Sequence, residues 1–196
     1  GASLYFLKPV PFYFKDIYLG PGYSNEIIKI MLDKSELAHS LLEENDLCRK
    51  VAKLIFDGKT VAHFNGKMEY GPRALGNRSI LYKADNPSCK DWLNEKLQRT
   101  QFMPFAPVTI EQEIKKLYLN TDKISYTMRF MNVAVDCTEE MKEKCPAAIH
   151  VDGTARPQVI YKEDNPRIFN ILELYKSLKG TSTIINTSFN KHEEPI

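Results

Sequence analysis

The stretch from Asn165 to Ile185 constrains the fold most, because it writes a complete helix and the strand that follows it. Asn165 offers a cap, Pro166 suits the first helical position, and Gly180 supplies the stop. Ile168, Ile171, Leu172, Tyr175 and Leu178 recur at helical spacing and predict one buried stripe. Ser182-Thr183-Ile184-Ile185 then starts a strand.

The same alternation runs through the rest of the chain. Ser24 caps a helix carrying Ile27, Ile28 and Ile30, and a second helix spans about 45–57, with Leu47, Val51, Leu54 and Ile55 in phase and Gly58 after them. Strands are predicted over 60–66 and 79–84, and a helix over 87–98 with Trp92, Leu93 and Leu97 on one face. Further strands fall within 126–135 and 147–161, the second broken around Gly153. Residues 4–23, rich in Pro, Tyr and Phe, read as irregular with at most one short strand. Gly1-Ala2-Ser3 reads as a cloning remnant. The pattern predicts an α/β (α+β) protein, with an irregular segment over 1–23 and one mixed-sheet domain over 24–196.

Charge and cysteine content narrow the function. A net charge of +2 lacks the clustered basic excess of polyanion binders, so nucleic acid is not the expected partner. Apolar runs such as Ala147-Ala148-Ile149 are too short to span a bilayer, and with no secretory segment apparent the expected location is the cytoplasm. The four cysteines form no CxxC pair and the four histidines no HxxxH, so no metal cage is expected.

Four polar stretches interrupt this regular pattern. Gly66 to Ser79 places three glycines and the arginines Arg73 and Arg78 between two predicted strands. Such a loop reads either as an anion nest reinforced by guanidinium groups or as a long solvated turn. His150-Val151-Asp152-Gly153-Thr154-Ala155-Arg156 reads as a ligand site at a strand end or as an Asp-Gly hairpin turn. Asn186-Thr187-Ser188-Phe189-Asn190 follows an apolar strand, where small polar side chains contact ligands in open α/β sheets or cap a helix. Arg99 to Pro107 reads as a stiff basic loop or a plain connector. Taken together, converging arginines without matching carboxylates call for an anionic ligand, and phosphate satisfies them most economically.

In this order the segments resemble the C-terminal domain of the O-carbamoyltransferase family of nodulation-factor and antibiotic-tailoring enzymes. The resemblance runs from about Leu19 to the last residue, through Met68 to Leu81, Pro104 to Pro107, His150 to Arg156, Asn186 to Asn190 and Glu194 to Ile196. It implies a YrdC-like twisted mixed sheet flanked by helices. It further implies binding of carbamoyl phosphate and of ATP with Mg2+, and formation of carbamoyl-adenylate. A separate N-terminal domain of the actin-like ATPase superfamily then passes the carbamoyl group to a hydroxyl acceptor, which marks this chain as part of a longer enzyme. The alternatives are a nucleotide-binding module without turnover and a YrdC-like domain that contacts RNA.

On this resemblance Arg73, Arg78 and Arg156 hold phosphate groups. Lys67, Glu69, Ser79, His150, Asp152, Thr154, Asn186, Thr187, Ser188 and Asn190 line the carbamoyl phosphate or nucleotide site. The chain departs from the family pattern at Lys67, where arginine is usual, and at Glu193, where glycine is usual. It departs again at Leu97 and Met103, where a lysine and an arginine are usual, so Lys96 and Arg99 are expected to reach in as neighbouring cations.

Overall fold

The computed structural model of the chain describes residues 6–8, 10, 12–96 and 105–189. Its elements run α1 (Asn25–Lys34), α2 (Glu44–Phe56), β1 (Val61–Phe64), β2 (Arg78–Lys83), α3 (Cys89–Lys96) and β3 (Ala106–Ile110). The single-turn helices α4 (Ile114–Leu117) and α5 (Ser125–Met128) precede β4 (Val135–Asp136) and α6 (Glu139–Lys144). The chain continues with β5 (Thr154–Ala155), β6 (Gln158–Ile160), α7 (Pro166–Lys179) and β7 (Ile184–Ser188).

Five strands form one mixed sheet in the order β1-β2-β7-β3-β6, while β4 and β5 pair separately. Neighbours are antiparallel except β3 and β6, which run parallel. Successive side chains on a strand point to opposite faces, so the central strands feed two cores. On one face Val51 and Ile55 of α2 and Ile168 and Leu172 of α7 pack on Leu81, Val108, Ile160 and Ile184. On the other, Phe105, Val159 and Ile185 meet Leu117, Met128, Met141 and Ala148. The mixed sheet flanked by helices is therefore the architecture expected.

Local signals explain the clearest element. The Asn165 Oδ1 accepts from the Ile168 amide at 3.2 Å, and Gly180 closes α7 at φ 79° with its amide on the Lys176 carbonyl. Leu178, expected in the buried stripe, is 46% exposed, because the helix turns that position past the edge of the core. Trp92 is also largely exposed and stacks obliquely on Tyr82, while the side chain of Leu93 and the whole of Leu97 lie outside the described residues.

Three expectations need correction. Phe105 to Pro107, read as a stiff connector, leads into and belongs to β3, flanked by β7 and β6. Pro107 is tolerated because β6 begins opposite Val108, one residue further on. The stretch 126–135 holds mostly α5 and turns rather than a strand, with Val135 alone entering β4. Asn186, Thr187 and Ser188 lie within β7 rather than after it.

Leu172 is fully buried between α2 and the sheet, whereas Leu178 is not. Leu172→Ala should cost about 2–5 kcal/mol by denaturant unfolding, and Leu178→Ala less than about 1 kcal/mol.

Candidate functional site

Strand directions bring described parts of the four polar stretches to one end of the sheet. There β1 and β7 finish while β2, β3 and β6 begin. The 65–77 connection, the approach to Ala106, the Arg156-Pro157 lead into β6 and the Ser188-Phe189 exit from β7 all share that edge.

The glycine-bearing connection is a rigid arch. Glu69 is buried, and its Oε1 accepts the amides of Leu75 at 2.7 Å, Asn77 at 2.7 Å and Arg78 at 3.2 Å. These amides converge as in an anion nest, and a side-chain carboxylate of the same loop fills it. Ser79 Oγ, also buried, accepts the Gly76 amide at 3.0 Å. Gly76 sits at φ 111°, and a Cβ there would lie 3.0 Å from Ile168 Cγ1 and 3.1 Å from Asn165 Nδ2, so only glycine lets α7 approach.

Arg78 is committed elsewhere than to a ligand. Its Nη1 donates to the carbonyls of Asn65 (2.7 Å) and Asn77 (2.9 Å), and its Nη2 to those of Pro21 and Gly66 (both 3.2 Å). The guanidinium also lies 3.6 Å from the Phe64 ring centroid. It thereby fastens the incoming segment, whose Ile17, Gly20 and Pro21 backbone groups bond to Met68 and Tyr70. Arg78, expected to hold phosphate, and Glu69 and Ser79, expected to line the ligand site, are all buried and bonded within the arch.

Buried amides hold the arch from outside. The Leu75 carbonyl accepts from Tyr18 Oη at 2.9 Å and Gln158 Nε2 at 2.8 Å. Asn186 Nδ2 donates to the Ala74 carbonyl at 3.2 Å and to Gln158 Oε1 at 2.8 Å. Asn165 Nδ2 donates to Tyr18 Oη at 3.2 Å and to Asn77 Oδ1 at 3.0 Å. Gln158 thus bridges the segment two residues after Arg156 to the arch two residues after Arg73. Gln158, Tyr18, Asn77 and His63 escaped the sequence reading, although a glutamine opening the apolar run Val159-Ile160 and a histidine sharing parity with Val61 were signals of buried polar roles.

Arg73, half-buried on the arch, makes no hydrogen bond or ion pair with the described residues. Arg156 is half-buried and Ser188 partly exposed, both at the same sheet end. Lys67 is exposed at the arch's entry. Thr187 is buried and directly opposite Ile80. His150, Asp152 and Thr154 are bonded within one turn: Asp152 Oδ1 accepts from the Thr154 amide and hydroxyl at 3.0 and 2.8 Å, and His150 Nδ1 meets Thr154 Oγ1 at 3.0 Å. The bonds from Thr154 hold the Asp152 carboxyl below its usual range. Arg99, Asn190, Met103 and Glu193 lie outside the described residues, as does the side chain of Lys96.

Residues 52–196 match the family model described as carbamoyltransferase C-terminus. The chain belongs to that family. It is 38% identical over 183 residues to an uncharacterised protein of Methanocaldococcus jannaschii, covering 91% of this chain and 29% of that protein. It is 32% identical to the nodulation protein NolO of Bradyrhizobium diazoefficiens (92% and 33% covered) and 35% identical to nodulation protein U of Sinorhizobium fredii (73% and 25%). This carbamoyltransferase C-terminus spans about a third of the length of the first curated relatives it matches. Its fold is shared with full-length HypF, solved in a phosphate- and nucleotide-bound form, at a TM-score of 0.54 and 20% identity over 82% of this chain and 19% of HypF. No helix among the described residues is long and apolar enough to cross a membrane.

Beneath the arch, His63 Nδ1 donates to the Gly76 carbonyl at 2.6 Å, while Nε2 is buried without a hydrogen-bond partner. Burial pushes the imidazole pKa down. The unfolded chain therefore binds the extra proton more readily, so stability is whole above about pH 6.5 and declines as pH falls below it. Denaturant midpoints taken from neutral to mildly acidic pH should fall more steeply for the parent chain than for His63→Gln. Gly76→Ala should cost about 1–3 kcal/mol in the same assay.

Proposed function

We propose that this domain binds carbamoyl phosphate and ATP at the sheet end where the arch, the Arg156 segment and the β7 exit converge, and there forms carbamoyl-adenylate. The observation that carries the reading is the Gln158 bridge, which ties the neighbourhoods of Arg73 and Arg156 to one frame. Arg73 and Arg156 hold phosphate oxygens, and Ser188 with Thr187 meets the carbamoyl or nucleotide group. Asn186 acts from beneath, because its amide protons are spent on Ala74 and Gln158.

The chemistry needs no covalent nucleophile from the chain. Water releases inorganic phosphate from carbamoyl phosphate, and the resulting carbamate presents a carboxylate oxygen to the α-phosphorus of ATP. A carbamate–phosphorus bond forms as the bond to pyrophosphate breaks. The two guanidinium groups oppose the charge that gathers on the departing oxygens, so the domain works through position and electrostatics. Magnesium fits as a companion of the ATP phosphates, where it supplies charge neutralisation: the Glu69 Oε1 is taken by backbone amides and the Asp152 Oδ1 by Thr154. The hydroxyl acceptor then meets the carbamoyl group on a preceding domain of the actin-like ATPase type.

Calorimetry with Mg-ATP tests the site. Arg73→Ala and Arg156→Ala should each weaken binding by about tenfold or more, since one charge-assisted hydrogen bond contributes about 1.5–3 kcal/mol. Unchanged affinity in both variants removes the assignment. Pyrophosphate release from ATP should depend on carbamoyl phosphate. Nucleotide binding without that release leaves a binding module instead of a transferase domain.

A further inference from the structure

We infer that Glu69 is a built-in anion that fills the amide nest of the arch and thereby sets the position of Arg73. The inference rests on the proposed phosphate site and names the residue that organises it.

The amides of Leu75, Asn77 and Arg78 turn toward one point, the geometry by which a loop cradles a phosphate oxygen. Glu69 Oε1 occupies that point, and the residue is 5% exposed. A phosphate group offered to this loop therefore finds these three amides already taken. It meets Arg73, four residues beyond Glu69 and two before the first amide that Glu69 holds.

The arch has few ways to move. Its inner amides are gripped by Glu69 and Ser79, and its outer carbonyls at Ala74 and Leu75 by Asn186, Gln158 and Tyr18. Gly76 is pressed against α7. Without an anion at the centre, the three amides would be left unpaired in a buried place, and the arch would swing to hydrate them. Arg73 would leave its position with it. Glu69 is thus a positioning residue, acting on ligand through Arg73.

The test uses the 196-residue chain with Mg-ATP as the probe. If the parent chain binds no Mg-ATP, the proposed site itself falls. If it binds, Glu69→Ala should weaken affinity by about tenfold or more while far-UV circular dichroism holds. Added formate, small enough to enter the vacated nest, should restore binding in a concentration-dependent way. Formate should do nothing for Arg73→Ala, whose nest remains filled. Glu69→Gln, which fills the space without the charge, should lose affinity and ignore formate. It decides the matter if Glu69→Ala fails to fold. Mg-ATP affinity at the parent level in whichever of these variants folds overturns the inference, as does a loss in Glu69→Ala that formate leaves unrepaired.

Discussion

A carboxylate and a guanidinium, neither exposed and neither paired with the other by a hydrogen bond, hold one end of the sheet and its connecting arch together. Glu69 collects backbone amides and Arg78 collects backbone carbonyls. Each charged group is compensated by the polar chain around it, which is what makes its burial tolerable. The glycines of the arch are permissive, but these two side chains give it a single shape.

The sheet turns that shape into a place. Because β7 is antiparallel to both neighbours, the exit of one strand lies beside the entries of β2 and β3, and β6 enters beside β3. Segments far apart in sequence meet there without any insertion designed for the purpose. The buried amides of Asn165, Gln158 and Asn186 then lock helix α7, strand β6 and strand β7 to the arch.

What could be read beforehand follows from how local each signal is. Helix α7 carries its cap, its first-turn proline and its terminal glycine within its own residues, so its limits were visible. The strand at Ala106–Ile110 was not, because Pro104 and Pro107 read as punctuation and only pairing with β7 and β6 makes it a strand. The sequence offered 66–79 as an anion nest or as a long solvated turn, and in the fold three of its amides converge on one oxygen. Which anion fills the nest depends on Glu69 folding back six to nine residues, a geometry no composition encodes. Likewise Arg78 and Arg73 are indistinguishable as letters, and only burial separates the strut from the free arm.

The placement of β7 has a consequence for how the molecule comes to exist. Among the described residues it is the last strand in chain order and the middle one in space, pairing with residues roughly a hundred positions earlier on one side. The β1–β2 hairpin and the β3–β6 pair are two half-sheets that no strand ladder joins until residues 184–188 arrive. Assembly must therefore wait on contacts of long sequence separation, which close slowly. Through synthesis the two halves expose raw strand edges to any neighbour that offers one. A chain interrupted just before Ile184 would be missing its keystone.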